Sequence, residues 1–312
     1  MWRGRSVTVA GGAGFIGARL TRALVEQGAN AAVLVRETTD TRRLDTILPP
    51  ERIDRVNFAD RKDLERALAL RSPDTVFHLA QGVARGAAMT PAALRDAVAV
   101  DQTGLLTLLD ALADSGAPVR AFVRAGSIAE YGSTETPARE TDAGRPTGIY
   151  QTVSLGSTVL LQGLADGLPF PAITLRLALV YGPDQSEAFF VPAAIRSALQ
   201  TGMISLRAPG DIRDYIHVDD VVAGMLAVAE APEQAAPVMN LSTGQGRSLA
   251  AVAAGIAAAT GAKVRYEGAP DATSANPFIH ADPSLLSGLY GWAPKTSFAA
   301  GIETLVREMT HG

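Results

Sequence analysis

The chain contains no cysteine, which excludes a disulfide framework, a thiolate nucleophile and a thiolate metal site. Lysine is scarce: Lys62, Lys263 and Lys295 are the only three among 28 basic residues. Those 28 do not balance the 32 acidic residues, and the net charge of −4 offers no basic footprint for nucleic acid or an anionic membrane. Long apolar runs are missing as well. Stretches such as LALVYG fall far short of the roughly 20 residues that cross a bilayer. The first residues, MWRGRSVTVAGGAGFIG, pass from two arginines into a short apolar strand and a glycine loop, without the apolar core and cleavage site of a secretion signal. These absences predict a cytoplasmic chain with neither membrane nor nucleic-acid partners.

What is present is enough apolar material for a large core, 47% of 312 residues. The runs SVTVA, NAAVLV, RVNFA, DTVFHLA, AFVRAG and AITLRLALV are short and apolar or β-branched. Segments between them, such as ARLTRALVEQG and GLLTLLDALADSG, carry apolar residues at helical spacing and end in glycine. This alternation predicts a Rossmann-type doubly wound parallel sheet. From Pro183 onward proline, glycine and isolated helices take over, although VMNLS is one more strand-like run and the alanine-rich AAVAAGIAAAT is a helix. The expected division is a nucleotide-binding domain of residues 1–182 and 213–258, and a smaller C-terminal substrate-binding domain of residues 183–212 and 259–312.

The first chemical motif is GGAGFIG, between the strand SVTVA and the helix ARLTRALVEQG. Glycines at this spacing let the backbone turn tightly and approach a pyrophosphate, whose charge then meets the helix N-terminus. Gly11, Gly14, Phe15, Ile16 and Gly17 are therefore predicted cofactor-binding residues. At the end of the second strand, where an NAD-specific site places an acid, this chain has Arg36, which can pair with a 2′-phosphate. Arg42 and Arg43 follow closely and Glu37 is the nearest acid. The predicted cofactor is NADPH, with NADH bound more weakly. Asp60, after the third strand-like run, is placed near an adenine edge or at a helix N-cap.

A second motif, GIYQTVS, puts Tyr150 and Ser154 on one helical face a turn apart. Taken with GGAGFIG, DTVFHLA, GSIAEYG, LRLALVYGP and RDYIHVDDVV in this order, the chain resembles the extended short-chain dehydrogenase/reductases over nearly its whole length. The resemblance implies that Leu79 and Ala80 line the cofactor, that Gln81 faces substrate, and that Ser127 of the SSxxVYG element and Tyr150 of Tyr-x-x-x-Lys are catalytic. The lysine position, however, is Ser154. In the family that lysine holds the nicotinamide ribose and tunes the tyrosine. An unassisted phenol titrates near about 10 and stays protonated at neutral pH, so it can donate to an alkoxide but is a poor base. The departure predicts a reductase in preference to an alcohol oxidation.

The substrate side departs too. Leu179 stands where sugar-nucleotide members carry an asparagine, and Ala269-Pro270-Asp271 stands where they carry Arg-Pro-Gly-Asp. Arg213 keeps the position that family members direct to the nucleotide, or else it makes an ion pair with Asp214 or Asp219. Met89, Leu179, Phe189 and Phe190 suit a flat apolar ketone. The predicted activity is reduction of a small-molecule ketone on a polycyclic, polyketide-type natural product of antibiotic biosynthesis, where a phenol beside the carbonyl would hold a proton within reach. The alternatives are a nucleotide-deoxysugar 4-ketoreductase or epimerase, and an inactive NADP-binding sensor or scaffold. His78, His217, His280 and His311 are scattered along the chain, and no metal site is predicted. The expected assembly is a monomer or homodimer.

Overall fold

The computed structural model describes residues 2–82 and 88–311. In chain order the first half runs β1 (Ser6–Ala10), α1 (Phe15–Glu26), β2 (Asn30–Val35), β3 (Ile53–Arg55), α2 (Arg61–Arg71), β4 (Thr75–His78), α3 (Pro91–Asp114), β5 (Ala121–Ser127), α4 (Ile149–Leu164) and β6 (Ala172–Leu177). The second half runs β7 (Leu179–Tyr181), α5 (Phe190–Thr201), β8 (Met203–Leu206), β9 (Ile212–His217), α6 (Val218–Glu230), β10 (Val238–Leu241), β11 (Gly246–Ser248), α7 (Leu249–Thr260), β12 (Lys263–Tyr266), β13 (Phe278–Ile279), α8 (Ser284–Tyr290) and α9 (Phe298–His311).

Seven strands form one sheet in the order β10-β6-β5-β4-β1-β2-β3. The order runs outward from β1 in both directions, which is the doubly wound arrangement. Its central strands are buried on both faces and so read in sequence as continuous apolar runs. Leu64 and Leu68 of α2 and Leu105, Leu108 and Leu112 of α3 pack with Val76 and Phe122 of the sheet in one core. Each such side chain contributes about 1.5–3 kcal/mol by leaving water.

Two expected strands differ. RVNFA contributes little to the sheet, because β3 lies at Ile53–Arg55 and only the Val56 N–H extends its pairing, to the Val35 carbonyl. AITLRLALV is not one strand. β6 ends at Leu177, and after Ala178 the chain continues as β7, which pairs in parallel with β9 in a second sheet. The second sheet joins β11, β9 and β13, with β7 also on β9, and β12 pairs with β8.

The chain divides into two compact units: residues 1–130, 146–176 and 225–239, and residues 131–145, 177–224 and 240–312. The sequence reading places residues 213–258 in the nucleotide-binding domain. Here 213–224 and 240–258 fall in the second unit, because β9 pairs with β11, β13 and β7. The core of the second unit collects Tyr181, Ile195, Tyr215, Val252, Ile256 and Ile302.

Candidate active site

The glycine loop is built by close approach. Gly11 has φ +84°, and a Cβ there would stand 2.7 Å from the backbone of Leu79 and Ala80 at the end of β4. A Cβ on Gly17 would run into the Gly11 carbonyl oxygen, and one on Gly12 into the Val33 side chain. Gly14 is the N-cap of α1 and brings no side-chain cap to its first amides, leaving those donors for an anion. Gly11, Ala13 and Gly14 open onto a cleft whose walls include Arg36, Phe58, His78, Leu79, Ala80, Gln81, Val100 and Asp101. These residues fit a dinucleotide.

Arg36 is exposed at the rim of this cleft. Behind it, the Arg55 guanidinium donates to the carbonyls of Glu37 at 2.5 Å and Thr39 at 3.2 Å, fixing the loop after β2. Arg42 is committed elsewhere: it forks onto Asp40 at 2.6–3.1 Å and holds that carboxyl down at about 2. Asp60 Oδ1 accepts from the Lys62 and Asp63 amides as the N-cap of α2, and the nearby cleft wall is Phe58. Phe15 and Ile16 open α1, half-buried.

Two buried polar groups on the cleft were missed by sequence reasoning. His78 Nδ1 and Asp101 Oδ1 find no hydrogen-bond partner among the described residues. Burial, helped by the Arg124 charge, pushes the His78 imidazole down to about 3, so it is neutral. Burial raises Asp101, against Arg124 and a 2.8 Å hydrogen bond from the Ser157 hydroxyl. The signal for Asp101 was an acid in line with Gly104, Leu105 and Leu108, the buried stripe of α3. Both orphaned atoms suit polar groups of a bound cofactor.

Ser127 ends β5, where its Oγ accepts from the Ala129 amide at 3.2 Å. Tyr150 is the second residue of α4, half-buried. Gln81 donates to the Ala125 carbonyl at 3.3 Å. One turn beyond Tyr150, Ser154 is only 2% exposed and donates to Glu130 Oε1 at 2.7 Å. The remaining predicted substrate residues, except Met89, belong to the second unit. Leu179 and Phe190 pack on its core, and Phe189 is the N-cap of α5. Arg213 bonds Asp211 at 2.7 Å and the carbonyls of Ile212 and Pro277, so its ion-pair partner is neither Asp214 nor Asp219. Met89 is half exposed. Among the described residues no cluster of histidine and acidic side chains could hold a metal ion, and no helix is long and apolar enough to cross a membrane.

A profile of the NAD dependent epimerase/dehydratase family matches residues 7–242, and the chain belongs to that family. It is 26% identical to the dTDP-L-rhamnose 4-epimerase of Burkholderia thailandensis, covering 97% of this chain and 94% of the relative. It is also 26% identical to the dTDP-6-deoxy-L-talose 4-dehydrogenase (NAD(P)(+)) of Kitasatospora kifunensis, with 96% and 94% covered. Among solved structures, the Thermus thermophilus UDP-glucose 4-epimerase, crystallised with NAD, superposes with a TM-score of 0.82 at 28% identity over 97% of this chain and 98% of that one. The fold is thus that of the extended short-chain dehydrogenase/reductases, and the chain is a nicotinamide-dependent enzyme of the epimerase/dehydratase type. These relatives favour the nucleotide-deoxysugar alternative over a polyketide ketone.

Proposed function

We propose that the chain is an NADPH-dependent ketoreductase acting at C4 of a 4-keto deoxysugar carried on a nucleoside diphosphate. The observation that carries this reading is Ser154, buried against Glu130 where the motif lysine belongs, in a chain with two full-length relatives named for position 4 of dTDP-linked sugars. Bound in the cleft, NADPH supplies the hydride. The chain's own residues orient the cofactor and deliver a proton to the developing alkoxide, Tyr150 as donor and Ser127 as hydrogen-bonding partner of the oxygen. A phenol without a lysine beside it serves this direction better than the removal of a proton from an alcohol.

A second reading, a polycyclic ketone of the angucyclinone or polyketide type, is favoured by one observation. Arg213 is spent on Asp211 and two carbonyls, and Leu179 offers nothing to a diphosphate. Incubation with NADPH and either a dTDP-4-keto-6-deoxyhexose or a panel of polycyclic ketones, read by mass spectrometry, separates the two. A sugar nucleotide that gains two hydrogens supports the first reading, and turnover of the polycyclic ketone alone establishes the second. NADPH binding with no turnover of either would leave the sensor.

A further inference from the structure

Three departures from the family motifs meet at one point inside the first unit. Where SSxxVYG has its first serine and its valine, this chain has Gly126 and Glu130, and where Tyr-x-x-x-Lys has lysine it has Ser154. Glu130 is fully buried. Its Oε1 accepts from the Ser127 amide at 3.0 Å and the Ser154 hydroxyl at 2.7 Å. Its Oε2 accepts from the Thr158 hydroxyl at 2.9 Å and from Arg176 Nε at 2.8 Å. Gly126 leaves the room for this carboxylate, since a Cβ at 126 would stand 2.8 Å from Glu130 Oε1 and 2.7 Å from the Thr174 methyl. Arg124 of β5, 1% exposed, closes the cluster. Its Nη1 donates to Thr158 Oγ1 at 3.1 Å and its Nη2 to the Ser154 carbonyl at 3.2 Å.

A buried carboxylate with four donors from β5, α4 and β6 has one good geometry, because any shift of α4 along β5 strands charge in the interior. The same carboxylate bonds the backbone of Ser127 and the side chain one turn from Tyr150. We propose that Glu130, with Arg124, is a positioning residue that holds α4 against the end of β5, so that Tyr150 and Ser127 keep their mutual placement without a lysine tied to the cofactor. This rests on the assignment of Ser127 and Tyr150 as the proton-delivering pair. The three departures form one compensated set. A lysine introduced alone at 154 would meet Glu130 and Arg124, and Ser154→Lys is expected to leave turnover unimproved.

The test uses the full chain with NADPH bound and its tyrosine rings labelled with carbon-13, the Tyr150 resonance being assigned by its loss in Tyr150→Phe. Glu130→Gln, and Ser154→Ala as the milder variant should Glu130→Gln not fold, are expected to shift or broaden the Tyr150 resonance while NADPH affinity stays within about twofold. With a ketone that the wild type reduces, kcat is expected to fall about tenfold or more, with KM for NADPH held, as misplacement of a reacting group predicts. An unchanged Tyr150 resonance in Ser154→Ala and in every folded Glu130 variant, with only the melting temperature lowered, would overturn the proposal and leave a structural ion cluster. The resonance is read without any ketone. Failure to find a substrate would count against the functional assignment alone.

Discussion

Arg36 carries the proposed cofactor preference by position. It stands at the rim of the cleft, whereas the nearby Arg42 is forked onto Asp40. Arg36→Ala is expected to weaken NADPH about 10- to 100-fold, one charge-assisted pair of bonds being worth about 1.5–3 kcal/mol, and to leave NADH affinity within about twofold. Calorimetric titration of both cofactors decides it, and equal losses for the two would show that Arg36 does not reach a 2′-phosphate. The glycines make a separate claim at the same scale. A Cβ at Gly12 points at Val33 in the β2 core, while one at Gly17 points at the Gly11 carbonyl inside the loop itself. Gly12→Ala is expected to cost about 1–3 kcal/mol of stability by overpacking, measured by denaturant unfolding. Gly17→Ala is expected to lose cofactor affinity as well.

At the scale of elements, the half-exposed Arg61 of α2 pairs with Glu65 on its own helix and with Asp110 and Asp114 on α3. Despite three partners, Arg61→Ala is expected to leave the urea unfolding midpoint nearly unchanged, because water screens such pairs. The sheet elements show how far sequence alone carries. β1, β2, β5 and β6 begin where their apolar runs begin, since a central parallel strand needs apolar residues on both faces. RVNFA has the composition of a strand but lies at the sheet edge, where neighbours rather than letters decide its length. AITLRLALV contains no glycine or proline, so nothing local marks the change of partner at Ala178. The glycine loop was legible because its spacing is itself a backbone requirement. Arg124 and Glu130 were not: a charged letter in a strand or a turn reads as solvated until its distant partners, the side chains 24 to 46 residues away for Glu130, are brought to it.

Across the whole molecule, two buried groups give opposite pH dependences, one in each unit. His78 in the first unit is pushed down to about 3 by burial, so between about pH 6.5 and 3 the unfolded chain binds a proton that the folded chain refuses. Its contribution to stability is full above the unfolded value and is lost on acidification, at up to about 1.4 kcal/mol per pH unit. Asp214 in the second unit is raised to about 6, burial outweighing the hydrogen bonds it accepts from Thr243 and Gly244. Between about pH 6 and 4 the folded chain therefore holds a proton that the unfolded chain releases, and stability is gained on acidification. Over that interval the two slopes oppose each other. The wild type is expected to lose less unfolding free energy from pH 6 to 4 than the His78 slope alone would give, measured without cofactor. His78→Leu removes the first slope and leaves the second, so the variant is expected to gain stability relative to wild type as pH falls, by an amount approaching about 1.4 kcal/mol per unit. Denaturant titrations at matched pH values test this, and parallel curves for the two proteins would mean that His78 takes up its proton in the folded state after all.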